Sequence, residues 1–234
     1  MCGRTSLAVP VDVLSERFDA TATDAVEAYL PKYNVDPGDG LVTITNEQRS
    51  VADVFEWGFV PEWADDPDEG PTPINARSES VTESNLFRDA FEERRCLVLA
   101  DGFYEWQGER GSKQPYRVVR RDRGPFAFAG LWSHWESESG ADPSRDTVTI
   151  LTTEPNHVVE SIHDRMPVML ERDEETPWLE GDAADAMDVL DPYPSSDIEA
   201  YPVSKQVNNP AAESPALFDA IDVDEQSGLD DFAS

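Results

Sequence analysis

The sequence predicts one α+β domain built on a largely antiparallel or barrel-like β-sheet with flanking helices. Two observations carry this reading. Short apolar runs of strand character recur up to about residue 205, divided by turn signals. Helically spaced stretches fall between them, but without the regular alternation that a parallel βαβ sheet requires. The 234 residues are 39% apolar and include six Trp, so a sizeable core is attainable.

Taken in order, Cys2 to Ala8 reads as a short strand and Val11 to Phe18 as an amphipathic helix. Tyr33 to Gly38 is turn-rich and precedes a strand at Leu41 to Asn46. Val54 to Val60 is aromatic and apolar, with Gly58 marking a bulge or a close backbone approach. An acidic, proline-rich loop at 64–73 leads to Ile74-Asn75-Ala76-Arg77-Ser78-Glu79. Leu86 to Arg94 has helical spacing, and Arg95 to Leu99 is a buried strand running into Gly102-Phe103-Tyr104-Glu105-Trp106. Further strands are expected at Pro115 to Arg120, Phe126 to Trp132 and Thr147 to Thr153, with a polar loop at 136–146. A helical stretch at Pro155 to Ile162 comes before His163-Asp164-Arg165-Met166-Pro167. A short strand at Val168 to Leu170, a helix at Ala183 to Leu190 and a strand at Ile198 to Val203 follow. Residues 1–207 form the expected domain. Residues 208–234 are acidic and poor in core residues, and read as a disordered tail.

The formal net charge of −31 calls for an explanation. Disorder throughout conflicts with the recurring apolar runs. Adaptation to a cytosol of very high salt accounts for it better, because the screening length falls to about 3 Å at 1 M salt; an acidic partner-binding surface is the alternative. Cys2 and Cys96 show no paired spacing, so neither a disulfide framework nor a zinc site is implied. No stretch has the apolar length of a membrane span, and a cytoplasmic monomer without metal or cofactor is expected.

The chemistry centres on Met1-Cys2-Gly3-Arg4. Removal of Met1 leaves Cys2 with an α-amine and a thiol on one residue. The amine's reference pKa is about 8 and the thiol's about 8.5, so both supply nucleophile near neutral pH. With an aldehyde this pair forms an imine and then a five-membered thiazolidine. Alternatively, the thiol attacks an acyl carbon with the amine as its base. An inert terminus is the plain alternative. Asn75 reads equally as a turn or cap residue, Glu105 as the exposed side of a strand, and His163 as a helix C-cap. His134 and His157 read as surface residues, and Cys96 as an inert core thiol.

In sequence order, Met-Cys-Gly-Arg, Tyr33-Asn34-Val35-Asp36-Pro37, Trp57-Gly58-Phe59-Val60-Pro61, Asn75-Ala76-Arg77-Ser78-Glu79, Arg95 through Trp106, Gly130-Leu131-Trp132, Thr152 through Asn156 and Ile162 through Pro167 resemble the SOS response-associated peptidase (SRAP) family. The resemblance spans about residues 2 to 209. It implies an abasic-site sensor that links its N-terminal cysteine to the ring-opened aldehyde in single-stranded DNA as a thiazolidine, and that removes its own initiator methionine. Carried over, Cys2 is the nucleophile and Asn75 orients its amine. Glu105 moves protons, and His163 protonates the sugar ring oxygen. Arg4, Arg77 and Arg165 hold flanking phosphates, while Trp57 and Trp106 stack on bases or wedge the strand. Lys32 departs from the arginine common before Tyr-Asn, and the net charge opposes DNA binding, so a small basic groove inside an acidic shell is expected.

Three other readings compete. A cysteine protease would use Cys2 and His163 as a dyad. A binding module would read damaged or single-stranded DNA without a covalent bond. A glutamine amidotransferase also opens on Cys-Gly, but the chain has no room for a synthetase domain.

Overall fold

The computed structural model describes residues 3–109, 112–137 and 143–223. Among the described residues fourteen strands run in chain order: β1 (Thr5–Leu7), β2 (Thr21–Ala22), β3 (Lys32–Val35), β4 (Gly40–Thr45), β5 (Val51–Trp57), β6 (Asn75–Arg77), β7 (Arg95–Ala100), β8 (Gly102–Gln107), β9 (Gln114–Arg120), β10 (Phe126–Trp135), β11 (Arg145–Thr153), β12 (Met166–Pro167), β13 (Met169–Leu170) and β14 (Ile198–Pro202). The helices are α1 (Val11–Phe18), α2 (Asp24–Tyr29), α3 (Arg88–Glu93), α4 (Glu175–Glu180) and α5 (Ala183–Asp188).

Strands β11, β10, β7, β4 and β5 pair antiparallel in that order. A parallel pairing of β5 with β11 then joins the two ends, with Thr147 opposite Glu56 and Val148 opposite Trp57. The result is a closed five-stranded barrel, which leaves these strands no bare edge between them. The expected barrel-like α+β architecture is therefore present. A second, antiparallel sheet has the order β14-β9-β8-β1-β3.

Alternation along the strands separates two cores. On β4, Leu41 points into the barrel with Phe55, Trp57, Cys96, Val98, Phe128 and Ile150. Its neighbours Val42 and Ile44 point outward, toward Leu14, Val26, Phe91 and Trp178 of the helices. Arg95 is buried at the ends of two helices. Its guanidinium donates to Phe91 O (2.8 Å) and Trp178 O (2.6 Å), supplying partners for C-terminal carbonyls.

Two expectations are corrected. The Pro155–Ile162 stretch forms successive turns rather than a helix. The Asn156 side chain takes the backbone N–H groups of Val158 and Val159 (3.0 and 3.1 Å) and donates to Tyr193 O (2.6 Å), competing with helical bonding. The tail expected from residue 208 does not begin there. Residues up to 223 lie on the small sheet, with Leu217 buried beside Tyr104, Val203 and Val207. Buried Asn34 ties this segment down by donating to Asn209 O (3.0 Å) and Ala212 O (3.1 Å). The rest of the expected tail, 224–234, lies outside the described residues.

Strand β1 is inserted between β3 and β8, with Thr5 opposite both Val35 and Phe103. The Asp101 carboxylate fixes it there. It accepts from Ser6 Oγ (2.6 Å), Ala8 N (2.7 Å) and Arg117 Nη2 (2.9 Å). Gly102 makes room for this contact, because a Cβ there would meet the Arg117 guanidinium at 2.9 Å. Gly58 is needed for its backbone, with φ +151. Asp101→Ala strands the Arg117 charge in the interior and is expected to cost about 3–5 kcal/mol in urea unfolding. A loss below about 1 kcal/mol would mean that the pair does not hold β1 in place.

Candidate active site

Glu105 lies on β8, on the same face as core residue Phe103. Sequence alternation permits an exposed carboxylate here, but only 2% of Glu105 is accessible. The turns ending at His163 cover it. Gln107, two residues along the same face, clamps them through Nε2 to Ser161 O (2.7 Å). His163 Nε2 stands 4.0 Å from Glu105 Oε2. The other ring nitrogen, Nδ1, accepts from Arg165 N (3.0 Å), which fixes the ring's direction. His163 is therefore neither a helix cap nor a free surface residue.

Burial sets the protonation of both groups. It pushes the Glu105 carboxyl up from an ordinary 4.5 to about 7. It holds the His163 imidazole below its ordinary value. Near neutral pH the site thus offers a carboxyl close to half-protonation beside a neutral imidazole, a pairing suited to moving protons. Glu105 Oε1 is buried with no hydrogen-bond partner among the described residues, and so is Asn75 Oδ1. Such orphaned acceptors cost about 1–3 kcal/mol each and mark places where a donor is to be received.

Asn75 and Arg77 sit on β6, which runs parallel to β11 with Asn75 opposite Ile150 and Arg77 opposite Thr152. Asn75 Nδ2 donates to Ile74 O (2.9 Å). Arg165 donates to Thr152 O (2.5 Å) and pairs with Glu79 through both of its terminal nitrogens. Asn75, Arg77, Arg165 and His163 are therefore gathered at one end of β11, and His163 carries the group to Glu105. The Glu79 carboxyl is held below its usual range by its hydrogen bond from Arg165, and the Arg77 charge contributes to this.

Arg4 stands apart from this pair of arginines, on the small sheet. It donates to Asn34 Oδ1 (2.8 Å) and Val207 O (3.2 Å). The two tryptophans also part company. Trp106 is half-buried and donates from Nε1 to Asn208 Oδ1 (2.7 Å), at the border of the segment after 207. Trp57 is corrected. It is 1% exposed inside the barrel and donates to Ile74 O (2.9 Å), so it offers no face to a base.

Cys2 lies outside the described residues. The chain leading to it is nevertheless fixed in register. Tyr104 N donates to Arg4 O (2.9 Å), which continues the β1–β8 ladder and sets Gly3 opposite Glu105. Sequence reasoning missed Lys113, an exposed residue just before β9 whose charge acts on both Glu105 and His163. Its signal was the charged turn beside the Glu105 motif. Cys96 is an inert, fully buried thiol whose pKa burial raises well above the ordinary value. His134 and His157 are exposed. Among the described residues no group of three or more His, Cys, Asp or Glu is placed to hold a metal. No described helix is long and apolar enough to cross a membrane.

A closed barrel beside a second sheet, which carries a buried carboxyl opposite the start of β1, is the class of protein that the fold and this site define. The profile of the SOS response associated peptidase (SRAP) family matches residues 1–210, and the chain belongs to that family. It is 39% identical over 225 residues to the abasic site processing protein YoqW of Bacillus subtilis (strain 168), covering 94% of this chain and 100% of that one. It is 30% identical over 236 residues to the abasic site processing protein HMCES of Xenopus tropicalis, covering 86% of this chain and 70% of that one. A crystal structure of a protein from Bacteroides thetaiotaomicron superposes with a TM-score of 0.83 at 26% identity, over 94% of this chain and 100% of that one.

Glu105 gives a pH signature. Its folded-state pKa of about 7 lies above the ordinary 4.5. The folded state therefore holds its proton more tightly than the unfolded chain. The resulting stability is complete below about 4.5 and is lost as pH rises through about 7. Glu105→Gln removes this loss. The variant is expected to be more stable than the parent by about 2–3 kcal/mol at pH 8, with a smaller difference at pH 5, in paired urea melts. An equal difference at both pH values would place the carboxyl in contact with solvent.

Proposed function

We propose that this protein acts on abasic sites in DNA and captures them covalently in single strands. The observation that carries the reading is the buried Glu105 carboxyl, facing His163 and opposite Gly3 in the β1–β8 register. Cys2 precedes Gly3 in the sequence, and the proposal assigns its amine and thiol to this carboxyl. The names of the relatives supply the substrate class, since each is called an abasic site processing protein.

The reaction begins with hydrolysis of the Met1–Cys2 peptide bond, which consumes one water and frees the α-amine. In the proposed sequence His163 gives a proton to the ring oxygen of the abasic sugar, and the C1–O bond breaks. The proton of the anomeric hydroxyl is released to solvent and replaces the one His163 gave, so the closed hemiacetal opens to the aldehyde. The α-amine of Cys2 adds to the aldehyde carbon. One N–H proton moves to the oxygen, Glu105 passes a second proton to it so that it departs as water, and the carboxylate takes back the remaining N–H proton, leaving an imine. Cys2 Sγ then adds to the imine carbon, its proton goes to the nitrogen, and the thiazolidine closes. No redox partner is required. Asn75 Oδ1, an acceptor without a partner among the described residues, receives an N–H of the amine. Placed beside the lesion, Arg77 and Arg165 hold the phosphates, with Glu79 as the competitor that DNA must displace. Arg4 contributes from the small sheet, and Trp106 supplies the remaining aromatic surface. The acidic exterior is screened at high salt, and the covalent bond offsets weak capture.

The test is a denaturing gel of Met1-processed protein with single-stranded DNA carrying one abasic site, in molar salt. A heat-stable shifted band is expected that requires both the lesion and Cys2. Glu105→Gln should slow its appearance by about 10²- to 10⁴-fold, the usual contribution of a general acid–base group. Absence of the band from folded, processed protein would overturn the crosslinking reading. Cleavage of an unrelated protein, lost in Cys2→Ala, would support the cysteine protease instead. Arg77→Ala is expected to weaken DNA capture and to flatten its dependence on salt by about one phosphate contact. An unchanged salt slope would remove Arg77 from the DNA path.

A further inference from the structure

We propose that one mouth of the barrel is a binding site for a small organic ammonium ion. It is the mouth where β11 begins, at the other end from the group around Asn75 and Arg165. A cavity of about 460 Å³ opens there, within the size range of small-molecule sites, and barrel mouths are a favoured place for them. Asp146 lines it. Thr152, which Arg165 contacts, lies six residues further along β11, about 20 Å away. This site is therefore separate from the one proposed to act on DNA.

The walls come from inward positions of the barrel strands. Phe55 on β5 and Trp132 on β10 are buried and meet edge to face, with ring centroids 6.2 Å apart and planes at 86°. Together they make an aromatic corner. Trp132 Nε1 donates to Asn46 Oδ1 (3.0 Å), which satisfies the ring's one polar group and fixes its direction. Thr43, buried on β4 and also lining the cavity, donates its hydroxyl to Leu41 O (3.1 Å), which leaves its oxygen an acceptor. Glu47, Asp53, Glu62 and Asp146 supply carboxylates. Asp53 Oδ1 accepts from Thr23 Oγ1 (2.8 Å) and Val54 N (2.9 Å), which pins that carboxylate to the wall. Among the described residues, the two lining groups able to carry positive charge are already matched. His134 Nδ1 lies 2.7 Å from Asp146 Oδ1, and Arg94 pairs with Glu62.

These features select the kind of ligand. A carboxylate or phosphate would meet four acids, with Arg94 and His134 already engaged. A purely apolar ligand would leave the acceptors unmatched. A metal ion needs a close shell of ligand atoms, and among the described residues no three His, Cys, Asp or Glu side chains are placed to supply one. An organic ammonium ion suits every wall. Its alkyl groups lie against Phe55 and Trp132, whose ring faces attract a cation, and Glu47 and Asp53 answer its charge. The chain itself displays a contact of this kind. The Arg94 guanidinium stands 6.0 Å from the centroid of the Trp132 ring while it pairs with Glu62. Burial of alkyl groups is not screened by salt, so part of the affinity survives where the rim charges are screened.

The test is a magnetic-resonance titration of the isotope-labelled full chain with choline chloride, at constant total chloride held by sodium chloride. The Trp132 indole N–H signal, identified by its loss in Trp132→Phe, reports binding. A saturable shift with a Kd on the order of a millimolar is expected. Dimethylbutanol, which has the shape of choline without its charge, should bind at least tenfold more weakly. Glu47→Gln and Phe55→Leu should each weaken choline binding at least threefold. Glu47 is exposed, so its variant keeps the fold and carries the result should Phe55→Leu unfold. No saturable shift, equal binding of the neutral alcohol, or unchanged affinity in Glu47→Gln would overturn the proposal. So would the same shift on replacing sodium chloride with potassium chloride, which would assign the mouth to an inorganic cation. Shifts centred on Glu105 and His163 instead of Trp132 would overturn it too, by placing the ligand at the other site.

Discussion

Insertion of β1 between β3 and β8 is the constraint on which the site depends. It is secured less by the strand's length, three residues, than by the Asp101 carboxylate at its end. Asp101 gathers donors from Ser6, Ala8 and Arg117 in a buried setting, so each contact is short of competing water. A buried charge pair of this kind is weak evidence for net stability, but breaking it leaves an uncompensated charge. Its effect is therefore geometric. It sets the register that lays Gly3 opposite Glu105, a carboxyl whose burial raises its pKa to about 7.

The same economy governs the site. Glu105 is buried because turns from a later part of the chain close over β8, and Asn156 shapes those turns by intercepting helical hydrogen bonds. Stability is given up in leaving Glu105 Oε1 and Asn75 Oδ1 without partners among the described residues. Natural interiors rarely tolerate this outside functional places. The barrel behind them absorbs the cost by being closed and filled, with Phe103, Phe126 and Phe128 stacked edge to face beneath β8.

Charge is distributed by the same rule of scarcity. There are 18 Lys and Arg against 49 Asp and Glu. Many of the arginines are engaged by carboxylates, including Arg17 with Glu175, Arg94 with Glu62 and Arg165 with Glu79. Under the proposed function, Arg165 would reach a phosphate by exchanging one anion, the Glu79 carboxylate, for another. Such an exchange loses less in concentrated salt than a fresh electrostatic capture does, because both sides of it are screened.

The sequence by itself determined the class of fold, most of the strands and the four polar stretches that matter. These depend on local pattern: apolar runs in β4 and β7, helical period in α1, and rare polar residues within apolar runs. It left undecided which aromatic residues face solvent and which polar ones are buried. Trp57 and Trp106 both sit in apolar, aromatic stretches, yet only closure of the barrel by β5 and β11 puts Trp57 inside. Glu105 looks like the wet side of a strand until distant turns cover it. Asn34 looks like a turn residue until the segment after 207 is found hanging from its amide. In each case the deciding contact joins residues far apart in the chain. Local pattern specifies which face of an element is apolar, but only tertiary packing decides what lies across from the other face.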